Sequence, residues 1–461
     1  MKRPLLLAGA LTLGGCVYLN TLYNARTAYE AGERARLAGQ ADSARQAYEV
    51  TLRKAAESFR RDSLGGWAMP SLLLVGQAHL RLGSLDEGRA ALERVLVEAP
   101  DPRLRQEARL YLGAILAASR DYGPAVQVLN EALLELRRGD LRGEGHMWRA
   151  RVLLAQGRVD QGWWDLDRAM EEDRRLEVPG HLERLYWAIE RGDPARAEQG
   201  ARALLRDPAA GIWVDSLSAL VERAAGTWSP GSAAALLSPA RGAPWAPGPR
   251  DRMLLQRIDL LLEAGDTLAA ETELGWVARG AGPASVPARL ALAEIRLRQI
   301  EAPRELDRVR RVLLPVATDS AVVVELEALR MVELLAAAEE RSFVALFAAA
   351  ELAREALGAP RLARALYLEA SRNASGGSWR GKAALAALVV GPDSDDERLW
   401  RRDLLRERDP YLTRARNRYL PTDTLARLDA RLQPLLDSAW AWARTEAGRR
   451  DVLVRSRAGG T

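Results

Sequence analysis

Residues 72–100 read LLLVGQAHLRLGSLDEGRAALERVLVEAP, a pair of helical patterns joined by a turn. Leu72, Val75, Gly76 and His79 recur at three- and four-residue steps, the period of one helix face. The turn Leu-Gly-Ser-Leu-Asp-Glu at 82–87 then ends that helix on a glycine and starts another. Gly88, Leu92 and Val95 carry the second helix, and Pro100 closes it. The pattern returns as Leu112, Gly113, Leu116, Ala125, Leu129 and Ala132, and again as Ala150, Leu153, Gly162, Leu166 and Ala169. A second turn, Gln-Gly-Arg-Val-Asp-Gln, falls at 156–161. Gly76, Gly113 and Ala150 follow one another at intervals of 37 residues. A looser copy, Ala28, Ala31, Gly32, Ala44 and Tyr48, begins 44 residues earlier. Small residues at fixed positions let paired helices approach, while bulky ones fill the space between them. One such pair cannot bury its apolar face alone, so its neighbours must stack on it.

Composition narrows the class from outside. The chain has 461 residues, 48% of them apolar and 28% charged, with three His and a single Cys. A disordered chain carries fewer apolar residues and a larger charge imbalance. A disulfide scaffold needs paired cysteines, and Cys16 is alone. Mean hydropathy is -0.20 and no long apolar run follows residue 22, which argues against a polytopic membrane protein. The net charge of +5 is uneven: residues 401–461 hold fourteen Arg against eight Asp or Glu, leaving the rest close to neutral. A nucleic-acid binder needs a basic stripe along its surface, so no nucleic-acid partner is expected.

The N-terminus reads MKRPLLLAGALTLGGC. Lys2 and Arg3 precede a short apolar core, Leu5–Leu13, and then Gly14, Gly15 and Cys16. The stretch is too short and too glycine-rich for a comfortable membrane span. Val17, Tyr18, Leu19, Leu22 and Tyr23 follow at once, with Asn20 and Thr21 as candidate helix caps.

Helical periodicity continues past residue 172 with less regularity. Prolines 230, 239, 244, 247 and 249 crowd residues 226–250, which reads as a linker. Helix pairs resume around Gly265, with Ala270, Leu274 and Val277, and around Gly358, with Ala363, Tyr367 and Ala370. Gly391-Pro392 then sets off a C-terminal region. The expected division is 1–15 signal, 16–225 first solenoid, 226–250 linker, 251–390 second solenoid and 391–461 Arg-rich helical region.

Catalytic motifs are scarce. His79, His146 and His181 have no metal-ligand spacing, and Gly143-Glu-Gly145 fails as a dinucleotide loop because Trp148 stands where its last glycine would be. His79 reads as a packing residue between helices. Asp393, Asp395, Asp396 and Glu397 lack the glycine of a calcium loop, whereas Ser394 with Glu397 makes a capping box. No metal, cofactor or catalytic residue is assigned. Eight of the thirteen Trp lie between Trp148 and Trp276. Most should pack in the core, and one or two should be exposed anchors, since Trp is enriched at binding hot spots.

Two resemblances follow from these residues. The 72–100 pattern and its copies resemble the tetratricopeptide repeat, strongly over 69–172, less so over 24–57 and 183–208, and weakly beyond. Leu13-Gly14-Gly15-Cys16 resembles the lipobox of bacterial lipoproteins, in which the cysteine is lipidated and becomes the first mature residue; an ordinary secretory signal with an incidental cysteine is the alternative. Val17 in place of Asp leans, by that family's sorting rule, towards the outer membrane facing the periplasm. Several acyl chains would make the anchor stable.

The resemblance implies an all-α, right-handed superhelical α-solenoid with a concave groove lined by the first helix of each pair. Carried over by position, Leu73, Gln77 and Arg81, Leu110 and Ala114, and Met147 and Arg151 would face a peptide or helix in that groove, with Gln77, Arg81 and Arg151 preferring solvent. The alternative is that the apolar members pack into the array itself. The implied function is a lipid-anchored, non-catalytic scaffold for envelope proteins, as in outer-membrane protein assembly. A peptidoglycan-binding or peptidoglycan-cleaving protein is the second reading. Arg401, Arg402, Arg406, Arg408, Arg414, Arg416 and Arg418 are candidates for weak contact with an anionic surface, against a solvated helix with Asp403, Glu407 and Asp409 interspersed.

Overall fold

The computed structural model describes residues 4–280, 282–338, 342–391, 409–415 and 423–458. Among them every regular element is helical, and consecutive helices pack in pairs as an all-α solenoid. The chain forms two compact units, Met1–Gly265 and Asp266–Thr461.

The first unit opens with α1 (Pro4–Leu37) against α2 (Ala41–Arg61). Asn20 and Thr21 do not cap a helix, because α1 runs through both and Thr21 is buried. Four pairs follow: α3 (Ala68–Leu82) with α4 (Leu85–Glu98), α5 (Pro102–Ala118) with α6 (Tyr122–Glu135), α7 (Gly139–Ala155) with α8 (Val159–Glu172), and α9 (Glu177–Arg191) with α10 (Pro194–Arg206).

The small residues do what their spacing implies. A Cβ on Gly76 would come within 2.5 Å of Leu92 Cγ, and one on Gly113 within 2.7 Å of Leu129 Cγ. Leu92, Leu129 and Leu166 are fully buried, so each helix pair closes around a leucine seated on a small residue. First helices also stack on one another: α1 on α3, α3 on α5, α5 on α7. Between α7 and α9 the backbones come less close, and bulky side chains occupy the gap.

Residues 226–250 are not a linker. The stretch is folded into the first unit as α12 (Pro230–Leu236) and a 3-10 turn (Ser238–Gly242), between α11 (Val214–Thr227) and α13 (Pro247–Glu263). Pro230 and Pro247 each open a helix, where the missing N–H costs nothing, so the prolines start helices instead of interrupting one. Leu236, Leu237, Ala240 and Trp245 are buried, and the Trp245 indole donates to the Asp207 carbonyl at 2.8 Å.

The second unit holds α14 (Thr267–Arg279), α15 (Ser285–Leu297), α16 (Leu306–Leu313), α17 (Ser320–Ala336), α18 (Phe343–Glu355), α19 (Pro360–Arg372), α20 (Arg380–Val390), α21 (Pro410–Ala415) and α22 (Thr424–Ala458). Its core centres on Phe343, Phe347 and Tyr367, whose rings stack or meet edge-on 5.3–5.5 Å apart. The C-terminal region is no separate body. Leu432, Leu436, Ala443 and Ala447 of α22 join that core, and Trp440 donates to the Ala348 carbonyl at 3.1 Å.

Candidate functional site

Most residues expected to line the groove are interior. Leu73, Gln77, Leu110, Ala114 and Met147 are buried, and the Arg81 side chain is only 8% exposed. The apolar four pack into the array. Of the set, Arg151 alone reaches an open cleft.

Arg81 explains itself by its partners. Its Nε donates to Glu33 Oε1 at 2.8 Å, and its terminal nitrogen pairs with Glu144. Tyr48 donates to Glu33 at 2.6 Å, Tyr111 to Glu144 at 3.0 Å, and Arg36 pairs with Glu33 at 2.7 Å. Burial pushes the Glu33 carboxyl up, but Arg81 and Arg36 outweigh it and hold the group at about 2. Burial raises Tyr29 and Tyr111 well above the ordinary phenol range. Arg81 with its two carboxylates, Glu33 and Glu144, and the phenol of Tyr111 joins α1, α3, α5 and α7, which makes the cluster a brace between repeats.

The open cleft lies where α7 and α9 separate. It encloses about 380 Å³ and is lined by Tyr122, Trp148, Arg151, Glu183, Tyr186 and Trp187, with Ala117, Ala118, Arg120 and Val152 completing its wall. Arg151 stands over the Trp148 ring at 4.5 Å while its Nε donates to Glu183 at 3.0 Å. Tyr186 and Trp187 meet edge-on at 5.2 Å. Arg191 and Arg223 lie over the Trp187 and Tyr186 rings at 6.0 and 5.5 Å. The Trp187 indole N–H is buried, and among the described residues no oxygen accepts it. Flat apolar faces bordered by guanidinium groups suit a partner that brings both an apolar side chain and an acceptor.

A second cleft, about 440 Å³, opens on the other side of α7 beside Asn130, Arg149, Trp164 and Asp165. Asp165 is buried, accepts two hydrogen bonds from Arg149 at 2.7 Å, and lies 2.7 Å from His146 Nδ1. Burial raises its carboxyl, but these partners hold it below the usual range. Trp163 is buried while its neighbour Trp164 is 55% exposed, as two adjacent helix positions about 100° apart allow.

His79 is half-buried beside the α3–α4 contact, and burial lowers its pKa. Among the described residues no group of three His, Cys, Asp or Glu could hold a metal ion. None of the described helices is long and apolar enough to cross a membrane. Cys16 lies within α1, and its side chain is outside the described residues. So are Arg401, Arg402, Arg406, Arg408, Arg416 and Arg418, the acidic run at 393–397, and Asp403 and Glu407. Arg414 is exposed. Asp409 is not a solvated counter-charge: it is buried and accepts the backbone N–H groups of Gly381, Tyr411 and Leu412.

No protein-family model matches the chain, and no curated protein matches it.

Proposed function

We propose that this chain is a lipid-anchored, non-catalytic scaffold of the bacterial cell envelope, a tetratricopeptide-like array that holds other envelope proteins through the cleft between α7 and α9. The observation that carries the reading is the cleft itself. Four aromatic side chains from three helices, α6, α7 and α9, converge there, only partly covered, whereas Leu73, Gln77, Leu110 and Met147 on the first helices are buried and Arg81 is held in the Glu33–Arg81–Glu144 brace. Aromatic and Arg side chains are the residues that most often dominate binding energy at protein interfaces.

The anchor rests on the Lys2-Arg3 charge, the short apolar core and the position of the sole cysteine. With that anchor at Cys16, α1 leads directly from the membrane into the braced repeats without a flexible tether. Outer-membrane residence, facing the periplasm, is the reading that Val17 beside Cys16 supports.

A non-catalytic role is supported by the pairing of three carboxylates in the first unit. Glu33 and Glu144 share Arg81, and Asp165 is engaged by Arg149 and His146, so none of the three is poised as a free acid or base.

Crosslinking the mature protein in its envelope, beside Cys16→Ala and Trp148→Ala variants, tests the reading. A defined set of envelope proteins should be captured by the native chain and lost in both variants. Equal capture by all three chains, or clearing of peptidoglycan by the purified protein, would contradict it.

A further inference from the structure

The turn between α5 and α6 carries a side chain where its counterparts carry glycine. After α1, α3, α7 and α9 the chain turns through Gly39, Gly83, Gly157 and Gly192, all with φ between 66° and 81°. Arg120 occupies the matching place, 37 residues from both Gly83 and Gly157, with φ 63°. The hydrogen bonds match as well. Arg120 N–H donates to the Ala117 carbonyl and Asp121 N–H to Leu116, as Gly83 and Ser84 do to Leu80 and His79, and Gly157 and Arg158 to Leu154 and Leu153. An L side chain in this left-handed region is strained, and glycine is not. Among the described residues Arg120 is the only non-glycine with positive φ.

The same residue lines the Trp148–Trp187 cleft, is exposed, and makes no ion pair or side-chain hydrogen bond among the described residues. Arg151, the other cation of the wall, is already paired with Glu183. Strain held at one turn out of five, by a free cation at the edge of an aromatic cleft, marks a position kept for binding.

We infer that Arg120 is a specificity-determining residue of this cleft, and that the cleft takes an acidic peptide segment. An Asp or Glu side chain of the partner would pair with the Arg120 guanidinium while a neighbouring apolar or aromatic side chain lies among Trp148, Tyr186 and Trp187. Charge complementarity decides for an acidic partner: Arg120 and Arg151 face one carboxylate, Glu183, in the wall, and Arg191 and Arg223 stand behind it with Glu190. A charge-assisted, bidentate pair is the contact an arginine makes best. This inference rests on the cleft being a protein-binding site.

The test combines stability with selection. Arg120→Gly should raise the thermal midpoint by about 2 °C, because strain is relieved, yet weaken binding at least tenfold. A residue kept for structure alone would move the two together. A random twelve-residue peptide library displayed on phage, panned on the full chain, should enrich segments in which Asp or Glu adjoins an aromatic or large apolar residue. Their recovery should fall at least tenfold on Arg120→Gly and on Trp148→Ala. Enrichment of neutral or basic segments that need Trp148 would overturn the acidic specificity and leave the protein-binding cleft standing. Acidic segments recovered equally on Arg120→Gly would overturn the role of Arg120. No enrichment on the native chain would overturn both the inference and the cleft as a peptide site.

Discussion

Arg81 sits between Glu33 and Glu144 with little access to water, and three consequences follow at the scale of single residues. First, replacing it with Met leaves two half-buried carboxylates short of a partner. That should cost about 3–5 kcal/mol, read as a loss of unfolding free energy in urea. Second, the cluster makes stability depend on pH with a definite sign. Glu33 is held at about 2 in the folded chain against an ordinary 4.5, so its contribution is complete above pH 4.5 and fades as pH falls towards 2. The shift corresponds to about 3 kcal/mol at most. Urea unfolding at pH 6 and pH 3 should therefore show a wide gap between native and Glu33→Gln chains that narrows in acid; a gap independent of pH would contradict it. Third, the residues that make the cluster were not legible together. Glu33, Arg81 and Glu144 lie in three different repeats, and nothing in their local sequence distinguishes a buried ion pair from a solvated helix face. The tryptophans gave a better signal, since their density between Trp148 and Trp276 marks the region in which the cleft lies.

At the scale of the helix, register decides what faces the cleft. Trp148 and Glu183, nine residues before their turn glycines 157 and 192, line it, whereas Met147, one residue earlier, is buried. A step of one residue rotates a side chain about 100° around the helix, enough to exchange a groove position for a core position. Of the residues that repeat position placed in a groove, Arg151 lines the cleft, while Leu73 and Leu110 are buried together with Leu74 and Tyr111 one step on; only Met147 stands a single step from a cleft residue, Trp148. The small-residue positions were legible because close packing tolerates no alternative at them. Gly76→Val should test this: the added atoms collide with Leu92, and overpacking of this kind should cost about 1–3 kcal/mol or more in thermal or urea unfolding. An unchanged midpoint would mean that α3 and α4 do not approach as described.

At the scale of the whole molecule, helix content and consecutive pairing were readable from periodicity alone, but the division of the chain was not. Prolines at 230 and 247 carry the same composition whether they break a chain or begin a helix, and only the burial of Leu236, Leu237 and Trp245 separates the two outcomes. Folded packing there has a measurable consequence. Arg241 and Arg250 should resist trypsin under native conditions, and Trp245→Ala should cost about 3–5 kcal/mol and expose them. Rapid native cleavage at either residue would restore the linker.

A partner protein is proposed to occupy the Trp148–Trp187 cleft. The most direct test is a photoreactive amino acid placed at Tyr186, beside a control at Val97, which is 85% exposed on α4 and not part of the cleft lining. Illumination of intact cells should give a discrete adduct from position 186, none from position 97, and no adduct from 186 once Trp148 is changed to Ala. Adducts of equal yield at both positions, or an adduct at 186 that survives Trp148→Ala, would contradict the account.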